Sequence, residues 1–169
     1  MSDDRKHLEY MSLALEQARK CGVTLTAFCV GAIIVEDSTN TVIATGYSRE
    51  LPGNTHAEQN CLTKLLSETT AARADTRYSL YTTMEPCSER LSGNTPCTDS
   101  IIKYNNSSER KKRGLGRVEA VFVGVKEPGD FIMNNVGQDK LLANGVGYIH
   151  ISGLEEEILE VARKGHSNI

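Results

Sequence analysis

The stretch Tyr78-Ser79-Leu80-Tyr81-Thr82-Thr83-Met84-Glu85-Pro86-Cys87 decides the fold. Its first seven residues read as a strand of β-formers, and that strand runs without a gap into Glu85-Pro86-Cys87. Outward on the N-terminal side, Phe28 to Val35 is apolar and β-branched on both faces, which predicts a buried strand. A polar turn at Glu36–Asn40 and β-formers from Thr41 to Tyr47 make the pair a hairpin. Ahead of it, Leu8, Met11, Leu15 and Ala18 recur at helical spacing, so Asp4–Lys20 reads as an amphipathic helix that Gly22 ends. The breaker cluster Leu51-Pro52-Gly53-Asn54 precedes a second helix over His56–Leu66, with Ala57, Cys61 and Leu65 on one stripe.

On the C-terminal side the chain alternates. The pattern predicts a short helix over Pro96–Tyr104, a polar loop over Lys103–Gly116, and a strand over Val118–Val125. A weaker helix over Asp130–Asn144, a short strand over Gly147–Ile151 and a helix over Leu154–Lys164 follow, and Gly165–Ile169 should fray. Strands alternating with helices give an α/β fold, a three-layer α/β/α sandwich. The opening hairpin makes its sheet, of about five strands, mixed.

At 169 residues, 39% hydrophobic and 24% charged, residues 1–169 suit one globular domain. The longest apolar run, Ala27–Val35, falls far short of the roughly 20 residues that span a bilayer. The polar start Met1-Ser2-Asp3-Asp4-Arg5 has no apolar core like that of a secretory signal. Nineteen Lys and Arg against 22 Asp and Glu leave a net charge of −3, which argues against a nucleic-acid partner. Five cysteines without an export signal point to a reducing compartment, the cytoplasm, and to metal, catalysis or core instead of disulfides. Cys21, Cys29 and Cys61 read as small core hydrophobes, and His7, His150 and His166 as surface or structural histidines.

The chemistry sits in two short stretches, His56-Ala57-Glu58 and Glu85-Pro86-Cys87 through Pro96-Cys97. One His and two Cys suit a catalytic Zn²⁺, which takes three protein ligands and keeps a fourth position for water. Two thiolates and a neutral imidazole cancel its charge, and zinc brings the pKa of bound water to about 7. Both ligand turns fall at expected helix starts, where a thiolate is favoured. Residues i and i+2 of a regular helix lie about 200° apart, so His56 and Glu58 share a cavity only if His56 sits at or before the first turn. Glu58 is then the candidate proton shuttle, within reach of the water. A closed structural zinc site would need a fourth ligand, and Cys21, Cys29 and Cys61 lack the paired spacing for it.

His56-Ala57-Glu58 with Pro86-Cys87 and Cys97 resembles the cytidine-deaminase superfamily, in which the Glu moves protons and is not a ligand. Most members leave two residues between the cysteines; here nine intervene, Ser88 to Pro96. That loop, Arg49 to Glu58, and Leu80 to Cys87 are similar to the fungal pyrimidine deaminases of riboflavin biosynthesis. The resemblance implies a cytidine-deaminase-like fold, a homodimer or larger homo-oligomer, and a phosphorylated ribitylamino-diaminopyrimidinone as substrate, whose 2-amino group is replaced by a carbonyl. Yeast-type members often carry a pseudouridine-synthase-like domain, for which 169 residues leave no room. Arg49 and Arg90 either grip the phosphate or lie on the surface, and Asn54 either binds the pyrimidine edge or shapes its turn. Ala57 and Ser88, beside the ligands, complete the candidate substrate contacts. The run Arg110-Lys111-Lys112-Arg113 is either a solvated loop or a phosphate cover.

Two alternatives remain. Deamination of adenosine or cytosine in nucleosides or tRNA shares the chemistry, but the charge, 5% aromatic content and absence of Trp oppose it. A non-catalytic partner subunit typically loses the Glu or a ligand, and here all four residues are present.

Overall fold

The hairpin forms as β1 (Gly31–Glu36) and β2 (Thr41–Tyr47), and the strand leading to Cys87 as β3 (Arg77–Met84). With β4 (Arg117–Val125) and β5 (Gly147–His150) they make one mixed sheet in the order β2-β1-β3-β4-β5. The β1 strand pairs antiparallel with both neighbours, while β3–β4 and β4–β5 are parallel. The structure, a computed structural model, describes residues 3–68, 76–90, 92–128, 136–164 and 166.

Strand alternation builds two cores. Ala32 and Ile34 of β1 face one side with Leu80 and Val121; Ile33 and Val35 face the other with Tyr81. The first side is covered by α2 (Ala57–Glu68), α3 (Cys97–Asn106) and α5 (Gly137–Ala143), through Cys61, Leu65, Ile101 and Leu141. The second is covered by α1 (Asp3–Ala18) and α6 (Glu155–Ala162), through Met11, Leu15 and Ile158. Each fully buried Leu, Ile or Met contributes about 1.5–3 kcal/mol, so both helical layers are fastened by the sheet. The three-layer α/β/α architecture is the expected one.

Close approach depends on two glycines. A Cβ at Gly31 would strike the Ala14 carbonyl oxygen of α1. One at Gly46 would strike the Ala57 carbonyl oxygen, so Gly46 lets the start of α2 settle on β2. That contact fixes the turn carrying His56 and Glu58.

Three expectations need correction. The first strand begins at Gly31, not Phe28: the Cys29 N–H donates to the Ala162 carbonyl at 3.0 Å and His166 Nε2 lies 2.9 Å from the Ala27 carbonyl. Residues 27–29 therefore tie to the C-terminal helix and its exit, and the side chains of Phe28 and Cys29 are buried from a loop. The segment 103–116 is not a polar loop. α3 continues to Asn106, and the Ser107 hydroxyl caps α4 (Ser108–Lys112) by accepting the Arg110 N–H. Arg110 is buried, its Nε donating to the Asn105 carbonyl and its Nη1 to the Leu115 carbonyl, so it braces this corner. Finally, Cys21 and Cys29 are joined as a disulfide, with their Cα atoms 5.7 Å apart. The turn after α1 brings the two together, a closure that cysteine counting cannot foresee. Cys61 is a buried core thiol as expected.

Of the weaker helix, residues 130–135 lie outside the described residues, and α5 occupies its remainder. Residues 165 and 167–169 also lie outside them. The other histidines are structural: His7 Nδ1 is 2.6 Å from the Tyr81 hydroxyl, and His150 Nε2 is 3.0 Å from the Gly124 carbonyl.

Candidate active site

His56 occupies the N-cap of α2. Its carbonyl accepts the first helical bond from the Asn60 N–H at 2.9 Å, and its own N–H donates to Gln59 Oε1 at 3.2 Å. This is the reciprocal half of a capping box, with Gln59 three residues on. Because the N-cap backbone is not yet helical, His56 and Glu58 line one cavity despite their i, i+2 spacing.

Cys97 is the first residue of α3, with Pro96 at the N-cap, one place before the position that the sequence pattern predicts. The free N–H groups of this helix start converge on Cys87. The Cys97 N–H donates to Cys87 Sγ at 3.3 Å, while the Thr98 N–H and hydroxyl donate to the Cys87 carbonyl at 3.1 and 3.0 Å. Cys87 is thereby held just beyond the end of β3.

His56 Nδ1 lies 3.6 Å from Cys87 Sγ and 3.4 Å from Cys97 Sγ, and the three donor atoms all fall within 4.8 Å of one another. Zinc takes sulfur at about 2.3 Å and nitrogen at about 2.0–2.1 Å, so tetrahedral S and N ligands stand about 3.5 Å apart. The donor set fits Zn²⁺ in kind and in spacing. Between the sulfurs, a hydrogen bond from Cys97 and the proximity of His56 push the Cys87 thiol down to about 4. The same hydrogen bond and burial push Cys97 well up.

Glu58, the second residue of α2, is 3% exposed. The Thr82 hydroxyl lies 2.9 Å from its Oε1. Burial raises its carboxyl above the usual range, and the charge of His56 acts against that rise.

The cavity above these groups measures about 140 Å³. Of the candidate substrate contacts, Arg49, Asn54 and Arg90 line it. Ala57 does not: it is fully buried in the core against Gly46. Ser88 does not either, its hydroxyl accepting the Val136 N–H at 3.0 Å. Arg90 is 8% exposed and ties three segments together. Its Nη1 donates to Gln59 Oε1 at 3.1 Å and to the Thr95 carbonyl at 3.3 Å, and its Nη2 to the Asn54 carbonyl. Among the described residues its Nε–H has no partner. Arg49 has a left-handed backbone (φ 63°), and its Nη2 donates to the Gly22 carbonyl at 2.7 Å and touches Cys21 Sγ at 2.7 Å.

Sequence reasoning missed Phe28, Met84 and Glu127 in the lining. Phe28 carried a strand signal, and nothing local marked the other two. Glu127 enters because its N–H donates to Glu85 Oε1 at 2.9 Å, while the Tyr148 hydroxyl donates to Glu85 Oε2 at 2.7 Å.

Comparison with known proteins agrees with this geometry. The chain is 39% identical over 160 residues to the diaminohydroxyphosphoribosylamino-pyrimidine deaminase of Schizosaccharomyces pombe, covering 95% of this chain. It spans about a third, 36%, of that relative's length. Aspergillus oryzae Rib2 deaminase, a C-terminal deletion mutant in complex with DARIPP, superposes with a TM-score of 0.80 at 35% identity, over 96% of this chain and 93% of that one. A diaminohydroxyphosphoribosylaminopyrimidine deaminase/reductase of Thermotoga maritima gives 0.69 at 25% identity, over 97% of this chain and 41% of that one. Residues 4–108, which contain His56, Glu58, Cys87 and Cys97, match the cytidine and deoxycytidylate deaminase zinc-binding region, and the chain belongs to that family.

Proposed function

We propose that the protein is the zinc-dependent hydrolytic deaminase of riboflavin biosynthesis. It converts 2,5-diamino-6-ribitylamino-4(3H)-pyrimidinone 5'-phosphate to 5-amino-6-ribitylamino-2,4(1H,3H)-pyrimidinedione 5'-phosphate and ammonia. The observation that carries this reading is a three-donor set at zinc spacing with a buried carboxylate in the same small cavity. The likeness to the fission-yeast deaminase and to the Rib2 deaminase complex supports the choice of substrate.

In this reading His56 Nδ1, Cys87 Sγ and Cys97 Sγ hold the metal. Zinc, when bound, supplies Lewis acidity and a water acidic enough to attack at neutral pH. Glu58 takes a proton from the attacking water and passes it to a ring nitrogen. It then delivers the second proton to the departing amine, so C2 exchanges NH₂ for a carbonyl oxygen and ammonia leaves. Phe28 and Met84 give the pyrimidine an apolar wall, and Arg49, Asn54 and Arg90 give its polar substituents partners. Residues 1–169 act as one domain, assembled as a homodimer or larger, which light scattering tests; a cytoplasmic setting, the reading from cysteine usage, would keep Cys21 and Cys29 as thiols and not as the disulfide of the structure. No described helix is long and apolar enough to cross a membrane.

Of the basic run Arg110-Lys111-Lys112-Arg113, Arg110 is buried against the protein's own carbonyls, while Lys111 and Lys112 are exposed. Ammonia release from the phosphorylated pyrimidine, its dephosphorylated form, cytosine, adenosine and tRNA tests the reading. The phosphorylated pyrimidine should turn over fastest. Faster release from tRNA would overturn the assignment, and none from any substrate would mark a non-catalytic subunit.

A further inference from the structure

Thr82 lies within β3, fully buried, paired across the ladder with Ala32 on one side and Val123 on the other. Its hydroxyl oxygen is 2.9 Å from Glu58 Oε1 and 2.7 Å from the Met84 carbonyl oxygen. A hydroxyl has one proton to give and lone pairs with which to accept. A carbonyl only accepts, and so does a carboxylate. Thr82 therefore cannot donate to both neighbours at once.

Whichever neighbour takes its proton, the hydroxyl is wedged between the Met84 carbonyl and Oε1 at fixed distances. We propose that Thr82 is the positioning residue for Glu58, its buried hydroxyl holding the carboxyl in one place in the cavity. The inference rests on the reading of Glu58 as the proton shuttle.

Other residue types would serve less well. Val has the shape of Thr but leaves Oε1 without this partner. The β-branched side chain is stiff at χ1, and the strand is paired on both sides, so the hydroxyl is presented from a rigid base.

The test compares zinc-loaded wild type, Thr82→Val and Thr82→Ser. Thr82→Val should keep stoichiometric zinc and an unchanged KM while kcat falls about 10- to 100-fold, the scale of loss from misplacing a reacting group. Thr82→Ser, which keeps the hydroxyl, should recover most of that loss. Crystal structures should show the Glu58 carboxyl turned away from its wild-type position in Thr82→Val and retained in Thr82→Ser. An unmoved carboxyl in Thr82→Val, an undiminished kcat, or kcat and KM changing together would overturn the proposal. A wild type that releases no ammonia would sink the functional reading alone, because the carboxyl positions would still decide the role of Thr82.

Discussion

On the cavity floor, His56, Glu58 and Cys97 are aimed by the first turns of two helices, whereas on the rim Arg49 and Arg90 tie loop to loop. The floor is close-packed: Glu58 and both cysteines are buried, and the donor atoms meet within 4.8 Å. The rim is assembled from residues such as Phe28, Arg49, Asn54, Glu89, Arg90 and Ser92, none of these in a helix or strand. Regular elements give the precision that proton and metal chemistry requires, while loops held by guanidiniums leave room for a family to change substrate. Substitutions on the floor should abolish the chemistry outright, and those on the rim should change what is bound and how well.

The largest effect belongs to the metal ligands. Cys97→Ala should lose zinc and all turnover. A ligand present at 1,000 times its Kd stabilises by about 4 kcal/mol, and at this chain length each kcal/mol is worth about 2–4 °C, so Tm should fall by about 10 °C. A chelator added to the wild type should reproduce that fall, read by calorimetry with elemental analysis. A zinc-free chain with wild-type Tm would break the comparison at its first term.

Glu58→Gln comes next. It keeps the volume and removes the exchangeable acid, so turnover should drop by about 10²–10⁴-fold or more with zinc intact. A variant retaining a tenth of the rate would refute the shuttle.

The same contrast governs what could be read in advance. The floor was legible because its signals are local: His56 follows a breaker cluster, Cys97 stands beside Pro96, and Cys87 ends a strand. The alternation of strands with helices along the chain also foretold a helical layer on each face of the sheet. The rim was not legible, because its order comes from distant partners. Arg90 reaches residues 36 and 31 positions away, at Asn54 and Gln59, and no spacing rule encodes such a clamp. Phe28 and Cys29 have the composition of a buried strand, and only their attachment to the end of α6 makes them a loop. Arg110 sat in a charge run that reads as solvated, yet two carbonyls drew it inside.

On the rim, Arg90→Ala should have the greater effect. It strips the Asn54 and Thr95 carbonyls and Gln59 Oε1 of a shared donor, at a cost of about 1–3 kcal/mol if they stay buried. Denaturant unfolding should record that loss. KM should rise alike for the phosphorylated pyrimidine and its dephosphorylated form, since the clamp shapes the whole mouth. Arg90→Lys should not restore either quantity, because one ammonium cannot span the acceptors of a planar fork. Rescue by Lys would show that only the charge mattered.

Arg49 should give the smallest and most selective effect. One nitrogen, Nη2, makes its contacts to Gly22 and Cys21, and the half-buried side chain also lines the cavity. Anchored at one corner, the guanidinium is pre-organised to offer its remaining donors to an anion, which is how arginine recognises phosphate. Arg49→Ala should therefore raise KM for the phosphorylated pyrimidine about tenfold, equivalent to about 1.4 kcal/mol, the low end for a charge-assisted hydrogen bond. The dephosphorylated form should bind as before. A split between the two substrates at Arg49, set against none at Arg90, would separate a ligand contact from a clamp among two arginines of one rim. An equal rise in both KM values would make Arg49 a second clamp, holding the turn at Gly22, and would leave the phosphate to be bound elsewhere.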